Sequence, residues 1–171
     1  MSLQFAVRYV VVVVLTLAAE VASAQQLAVP YGGPISGVDA KRVAAAALAE
    51  ARKNKWRMAA AVVDASGELV YFEKVDGTQV ASNDIAIDKA RSSARFKRPT
   101  KAFQDSIEKG GAELRLLSLR GVVPNEGGIP IVIDGKLVGA LGVSGGTGAQ
   151  DQQCATAGIA VMSPADLVDV N

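Results

Sequence analysis

The sequence predicts a single-domain α/β fold of the α+β kind, in which an antiparallel sheet is flanked by helices. Two stretches read as β-hairpins, and helix-like segments precede, separate and follow them. Hairpins join antiparallel strands, so this order argues against a doubly wound parallel sheet. The length of 171 residues fits one domain with a substantial core and is short for two.

The first 24 residues have the composition of a secretory signal peptide. Arg8 precedes an apolar run over residues 9–19, and Ala22-Ser23-Ala24 supplies the small residues that a signal peptidase accepts. The run is shorter than the ~20 residues that span a bilayer. We therefore expect cleavage after Ala24, a periplasmic or secreted protein and no stable membrane span after cleavage. An uncleaved anchor is the alternative.

Composition excludes several functional classes. The formal net charge is only +1, and we see no Lys/Arg cluster marking a nucleic-acid face, so no nucleic-acid partner is expected. The chain has no histidine, which removes the usual zinc sites and Ser-His-Asp catalysis, and no metal site is predicted. Cys154 is the only cysteine, so no internal disulfide forms; it is either a small buried apolar residue or a group that pairs or binds.

The N-terminal part of the domain reads as an arm followed by a helix. Residues 25–35 form an extended arm without clear periodicity, and the domain proper covers residues 36–165, followed by a tail over 166–171. Ser36-Gly-Val-Asp39 fits a capping box, and the alanine-rich stretch from Ala40 to about Lys53 predicts the first helix.

The two hairpins follow from short apolar runs and turn residues. Residues 58–64 and 68–74 are separated by Ala65-Ser66-Gly67. Residues 129–133 and 136–143 are separated by Asp134-Gly135, the pair favoured in type I′ turns, where both residues need positive φ.

A helix over residues 82–96 lies between the hairpins, with Ser82 or Asn83 as its N-cap. Its apolar residues fall on two sides, so one side should meet the sheet and the other a neighbouring helix or a partner. Pro99 ends it, a short helix follows over 100–110, and residues 113–119 form a turn or approach a strand. The last helix runs from Ala149 to about Met162.

The glycine-rich stretch from Gly142 to Gly148 is not a known phosphate-binding motif. It lacks the Lys-Ser/Thr of a P-loop, and its glycines are wrongly spaced for a dinucleotide site. It predicts a tight strand-to-helix turn. The amides at the helix start either hold a ligand or are satisfied by Asp151 acting as a cap.

Charged residues supply weak candidates for chemistry. Lys89, Arg91 and Arg95 are the best cations for an anionic ligand, although they can equally form a solvated ladder with Asp84 and Asp88, which explains Lys89 less well than the two arginines. Glu126 and Asp151 are the weak candidates for a catalytic base.

Several segments together resemble the GlcG/HbpS-like proteins, which include the C-terminal domain of PduO-type proteins. The segments are AVVDASGELV from Ala61, Asp76-Gly77, DIAIDKAR from Asp84, Arg98-Pro99-Thr100, Gly127-Gly128-Ile129-Pro130, Asp134-Gly135, and GALGVSGG from Gly139 followed by Asp151. They run in order within the region from about Val38 to Met162, which is most of the chain after residue 24. The resemblance implies a profilin-like fold, assembly as homo-oligomers, and binding of haem or another small molecule in some members.

The leading hypothesis is therefore an exported binding protein for haem or another small anionic molecule, with an accessory, sensing, or iron- or redox-handling role. The ligand-binding candidates are Lys89, Arg91, Gly127, Gly128, Ser144, Gly145 and Gly146. Without histidine, haem iron would need a ligand such as Met58, Met162, Tyr71, Cys154 or Thr100. The alternatives are a small cofactor-independent enzyme acting on a carbonyl or hydroxy-acid compound, and an oligomeric scaffold or accessory subunit.

Overall fold

A computed structural model describes residues 29–162, and the predicted signal peptide and the predicted tail lie outside this range. In chain order the elements are α1 (Gly37–Lys53), β1 (Ala59–Asp64), β2 (Leu69–Lys74), α2 (Ala81–Phe96), α3 (Thr100–Glu108), a 3₁₀ helix (Gly111–Ser118), β3 (Gly128–Ile133), β4 (Lys136–Ser144) and α4 (Gly148–Ile159). No helix within the described range is long and apolar enough to cross a membrane.

The four strands form one antiparallel sheet in the order β2-β1-β4-β3. The two strands of each hairpin are therefore neighbours in the sheet. The two hairpins pair with each other through β1 and β4, with Ala59 opposite Ser144 and Asp64 opposite Gly139. Asp134 and Gly135 have φ of 48° and 71°, as the predicted turn between β3 and β4 requires. The predicted antiparallel α+β fold is confirmed.

Helices cover both faces of the sheet, and β1 shows how. Its residues alternate between the two faces, as the two-residue period of a strand demands. Ala60 and Val62 belong to the main core with α1, whereas Ala59 and Ala61 pack with Ala86 of α2. The sheet thus lies between α1 with α4 on one side and α2 on the other.

Small residues bring α2 very close to β4. A Cβ built on Gly142 would overlap the carbonyl oxygen of Ala86. Ala90 and Ala94 continue this contact and are completely buried with Ala140. This close packing positions the functional site, because it brings the Lys89 ammonium of α2 to the C-terminal end of β4.

The helix starts differ from the sequence prediction at one point. Ser36 caps α1 by accepting from the amide of Asp39, as predicted. The residue before α2 is Val80, in a helical conformation, and no side chain caps this helix. Ser82 lies instead inside the first turn, where it is completely buried. The prediction of Ser82 or Asn83 as N-cap is therefore wrong.

The arm continues the sheet where β1 ends. Tyr31 forms an isolated parallel bridge with Leu137, supported by hydrogen bonds from the Leu137 amide to Pro30 and from the Gly32 amide to Leu137. Since β1 pairs with β4 only as far as Gly139, the arm occupies the position beside the first residues of β4. This contact fixes Tyr31 next to the last turn of α2.

The 3₁₀ helix has no buried residue. Leu114, Leu117 and Leu119 are 47%, 63% and 44% exposed. In a 3₁₀ helix residues three apart lie above one another, so Leu114 and Leu117 form one apolar stripe.

Candidate functional site

Most of the predicted ligand-binding residues meet where β4 ends and α4 begins. Ser144 is the last residue of β4, and Gly145 and Gly146 lead into the turn before α4. Thr147 caps α4 in a capping box with Gln150. The side chain that satisfies the first amides of α4 is therefore that of Thr147, and the alternative of Asp151 as this cap is wrong.

Lys89 and Asp151 form a buried ion pair across this junction. Lys89 is fully buried, Asp151 is 3% exposed, and the Lys89 Nζ donates to Asp151 Oδ2 at 2.6 Å. The same ammonium donates to the carbonyl of Val143 at 3.1 Å. The pair thus ties α2, the end of β4 and the first turns of α4 together.

Asp151 also holds the glycine turn. Its Oδ1 accepts from the amide of Gly146 at 3.0 Å. Burial raises the pKa of the Asp151 carboxyl, and the ammonium of Lys89 together with the amides of Gly146 and Gly145 opposes that rise. The 2.6 Å contact with the Lys89 ammonium favours the ionised carboxylate, because protonation of Asp151 would leave the buried ammonium without a counter-charge.

Gly127 and Gly128 close over this pair. Gly127 has φ of 113°, and a Cβ there would lie 3.1 Å from Lys89 Nζ and 2.8 Å from the carbonyl oxygen of Val143. The Gly128 amide donates to Thr100 Oγ1 at 2.9 Å. A ligand could reach the Lys89 ammonium only after the segment around Gly127 had moved.

Glu126 lies next to Gly127 and takes no part in the Lys89–Asp151 ion pair. Its amide donates to Gln104 Oε1 at 3.2 Å, and its carboxylate is 3.9 Å from Lys101 Nζ. The structure therefore brings together Lys89, Gly127, Gly128, Gly146 and Asp151, with Glu126 next to them. Their roles as binding or catalytic residues stay predictions.

Arg91 points elsewhere. Arg91 Nε donates to the carbonyl of Gly67, and Arg95 Nε lies 3.5 Å from the carbonyl of Ser66, in the turn between β1 and β2. Within residues 29–162 neither arginine lies within 4.0 Å of a carboxylate oxygen of Asp84 or Asp88. The ladder considered from spacing is therefore replaced by contacts to backbone carbonyls.

Positive charge is concentrated at the end of α2, a feature that the predictions from sequence did not include. Six of the thirteen residues from Lys89 to Lys101 are Lys or Arg. Lys89 is buried, but Arg95 and Arg98 are exposed and Lys97 is half-buried. Aromatic rings lie among them: Lys97 Nζ is 3.8 Å from the centre of the Tyr31 ring, and Arg98 Cζ is 5.4 Å from that of Phe103. The run KRPTK beside Phe96 was the available signal.

The protein is an α+β domain, in which helices cover both faces of an antiparallel sheet. A buried ion pair holds its glycine-rich junction in place. Residues 35–160 match the family model described as "Haem degrading protein HbpS-like". The chain belongs to the HbpS-like family.

Individual relatives agree with this assignment. The chain is 38% identical over 105 residues to Protein GlcG of Escherichia coli strain K12, a match that covers 61% of this chain and 77% of GlcG. The crystal structure of protein ORFY of Klebsiella pneumoniae superposes with a TM-score of 0.73 at 26% identity, covering 81% of this chain and 94% of ORFY. A crystal structure of a PduOC:haem complex superposes with a TM-score of 0.68 at 29% identity, covering 74% of this chain and 94% of PduOC.

Proposed function

We propose that this protein is an exported protein that binds haem or a related anionic tetrapyrrole, in an accessory, sensing, or iron- or redox-handling role. The observation that carries the proposal is the similarity to PduOC, a relative of the same fold that was crystallised with haem. Export rests on the sequence of residues 1–24.

Direct ligation of the haem iron does not fit the side chains that the sequence singled out. Met58 and Cys154 are completely buried in the main core, and Thr100 Oγ1 is buried against Gly128. Met162 is 8% exposed, and its sulfur accepts from Arg42. The hydrogen bond to Glu73 raises the pKa of Tyr71 and so disfavours the phenolate that would bind iron.

The chemistry that remains is recognition of the tetrapyrrole ring and its carboxylates. Lysine and arginine side chains bind carboxylates through charge-assisted hydrogen bonds, and a flat ring can stack on an aromatic or guanidinium plane. These interactions do not depend on the metal. We therefore expect the protein to bind the iron-free ring about as well as haem.

A paired titration tests the proposal. The purified protein is titrated with haem and, separately, with iron-free protoporphyrin IX, following absorption and fluorescence. The two dissociation constants should agree within about threefold, because a bond to iron worth ~1.4 kcal/mol would already separate them about tenfold. Tyr71→Phe is the control and should leave both constants unchanged.

One result would contradict binding that is independent of iron, and another would contradict tetrapyrrole binding as a whole. Haem binding that is more than tenfold tighter, and that Tyr71→Phe abolishes, would show ligation by a tyrosine. Absence of saturable binding of either ring would overturn the proposed function itself.

We further propose that the protein is a homo-oligomer. Support comes from the exposed stripe of Leu114 and Leu117 on a 3₁₀ helix with no buried residue. An exposed apolar patch bordered by charged residues is typical of a protein interface. Glu108, Lys109, Glu113, Arg115 and Arg120 flank the stripe in the sequence and carry both signs of charge, which is compatible with a self-complementary twofold interface.

A further inference from the structure

The C-terminal half of α2 and the residues directly after it carry four cationic side chains without a carboxylate partner in the described part of the chain. Within residues 29–162, no carboxylate oxygen lies within 4.0 Å of a side-chain nitrogen of Arg91, Arg95, Lys97 or Arg98. Some other cations in the same range, such as Arg52 and Lys101, have such partners at 2.8 Å, and others, such as Lys55 and Arg57, do not. We call the group of Tyr31, Arg95, Lys97 and Arg98 the cationic face.

Backbone contacts hold the cationic face in place. Arg98 Nε lies 3.4 Å from the carbonyl of Phe96, and Arg95 Nε lies 3.5 Å from that of Ser66. Tyr31 is fixed by the pairing of the arm with Leu137, and its hydroxyl donates to the carbonyl of Arg95 at 3.3 Å. A carbonyl contact leaves the net charge of an arginine in place, so these side chains keep their capacity to attract an anion.

Lys97 takes up a backbone conformation that lysine disfavours. It follows α2 with φ of 56° and ψ of 36°, the left-handed region that glycine usually fills at the end of a helix. For a side chain with a Cβ this conformation is costly. The conformation sets the Lys97 ammonium over the ring of Tyr31, which is itself 50% exposed.

Favourable interaction with the helix dipole accounts for some positive charge at this end of α2. It does not account for an aromatic ring beneath the ammonium.

We propose that the cationic face is the tetrapyrrole site: Lys97, Arg95 and Arg98 bind the ring's carboxylates, and the ring stacks beside Tyr31. This inference rests on the proposed function and assigns it a location. The face lies outside the cluster around Lys89 and Asp151, which is closed.

The chain offers a matched control for testing Lys97. Lys55 also follows a helix, also has a positive φ, of 60°, and is exposed. It precedes β1, whereas the turn that contacts Arg95 follows β1, so a strand of six residues, or about 20 Å, separates the two lysines. Lys97→Gly and Lys55→Gly therefore make the same chemical change at opposite ends of the sheet.

The experiment compares binding of protoporphyrin IX by the wild type and both variants. Lys97→Gly should weaken binding about tenfold, the effect of losing one hydrogen bond to a charged group, and Lys55→Gly should change it less than twofold. Neither variant should lower the thermal midpoint by more than about 2 °C, since glycine relieves the strained backbone at each position.

The ligand can be changed as well as the protein. The dimethyl ester of protoporphyrin IX has no ionised carboxylates, so the wild type should bind it more weakly, and Lys97→Gly should bind it as weakly as the wild type does. Equal loss of protoporphyrin binding in both glycine variants, or none in Lys97→Gly, would overturn the site and leave the proposed function intact. A difference that persists with the ester would show that Lys97 acts through the ring and not the carboxylates, which also overturns the assignment. Absence of tetrapyrrole binding by the wild type would overturn both the proposed function and the proposed site.

Discussion

The Lys89–Asp151 pair shows what a buried charge requires of its surroundings. Moving two charges out of water costs several kcal/mol, which is offset only when geometry is good and further hydrogen bonds satisfy the remaining groups. Val143 and Gly146 supply such bonds, and Gly127 is small enough to close over them. Replacing one partner alone should therefore lower the free energy of unfolding far more than removing both charges does.

Asp151→Asn should lower the free energy of unfolding by about 3–5 kcal/mol, because it leaves the Lys89 ammonium buried without a counter-charge. Adding Lys89→Met to that variant should restore most of the lost free energy of unfolding, since neither side chain of the buried pair is then charged. Urea unfolding of the wild type, both single variants and the double variant measures the coupling. Additive losses would contradict a direct ionic interaction.

Cys154 should be chemically silent in the folded protein. Burial, followed by the charges of Glu50 and Asp151, raises the pKa of its thiol to about 12, so at pH 8 the reactive thiolate is almost absent. Iodoacetamide at pH 8 should modify the native chain far more slowly than the chain unfolded in urea, as mass spectrometry would show. Equal rates would mean that Cys154 is accessible.

Among the helices and strands, the predictable ones are those with local signals. Ser36 and Asp39 mark the start of α1, and Asp134-Gly135 marks the turn between β3 and β4, because backbone geometry there depends on neighbouring residues. The predicted N-cap of α2 was wrong, because the helix begins at Ala81 and Ser82 lies buried in its first turn. Burial of Lys89 depends on a residue 62 positions away, which no local pattern reveals.

The packing of α2 on β4 can be tested at Gly142. Gly142→Ala should destabilise the fold by roughly 1–3 kcal/mol, because its methyl group would meet the carbonyl of Ala86 and push the helix away. Gly33→Ala is the control, since nothing lies within 4 Å of the added carbon. Thermal unfolding of both variants measures the difference, and equal midpoints would contradict the close packing.

At the scale of the whole molecule, self-association should depend on the leucine stripe of the 3₁₀ helix. Leu117→Asp places a charge in the proposed interface and should convert the oligomer to a monomer, as light scattering after size exclusion would show. Val38→Asp changes another exposed apolar residue, 80% exposed on α1, and should leave the mass unchanged. A monomeric wild type would contradict the proposed assembly.

The order β2-β1-β4-β3 also has a consequence for how the chain is made. Each hairpin forms from neighbouring residues, but the central ladder joins residues 59–64 to residues 139–144. During synthesis at roughly 5–20 residues per second, β1 waits several seconds for its second partner. Its sequence, Ala-Ala-Ala-Val-Val, is apolar and presents an open edge throughout that time. A chain that has formed only its first hairpin therefore exposes an apolar strand edge that β4 covers in the finished sheet.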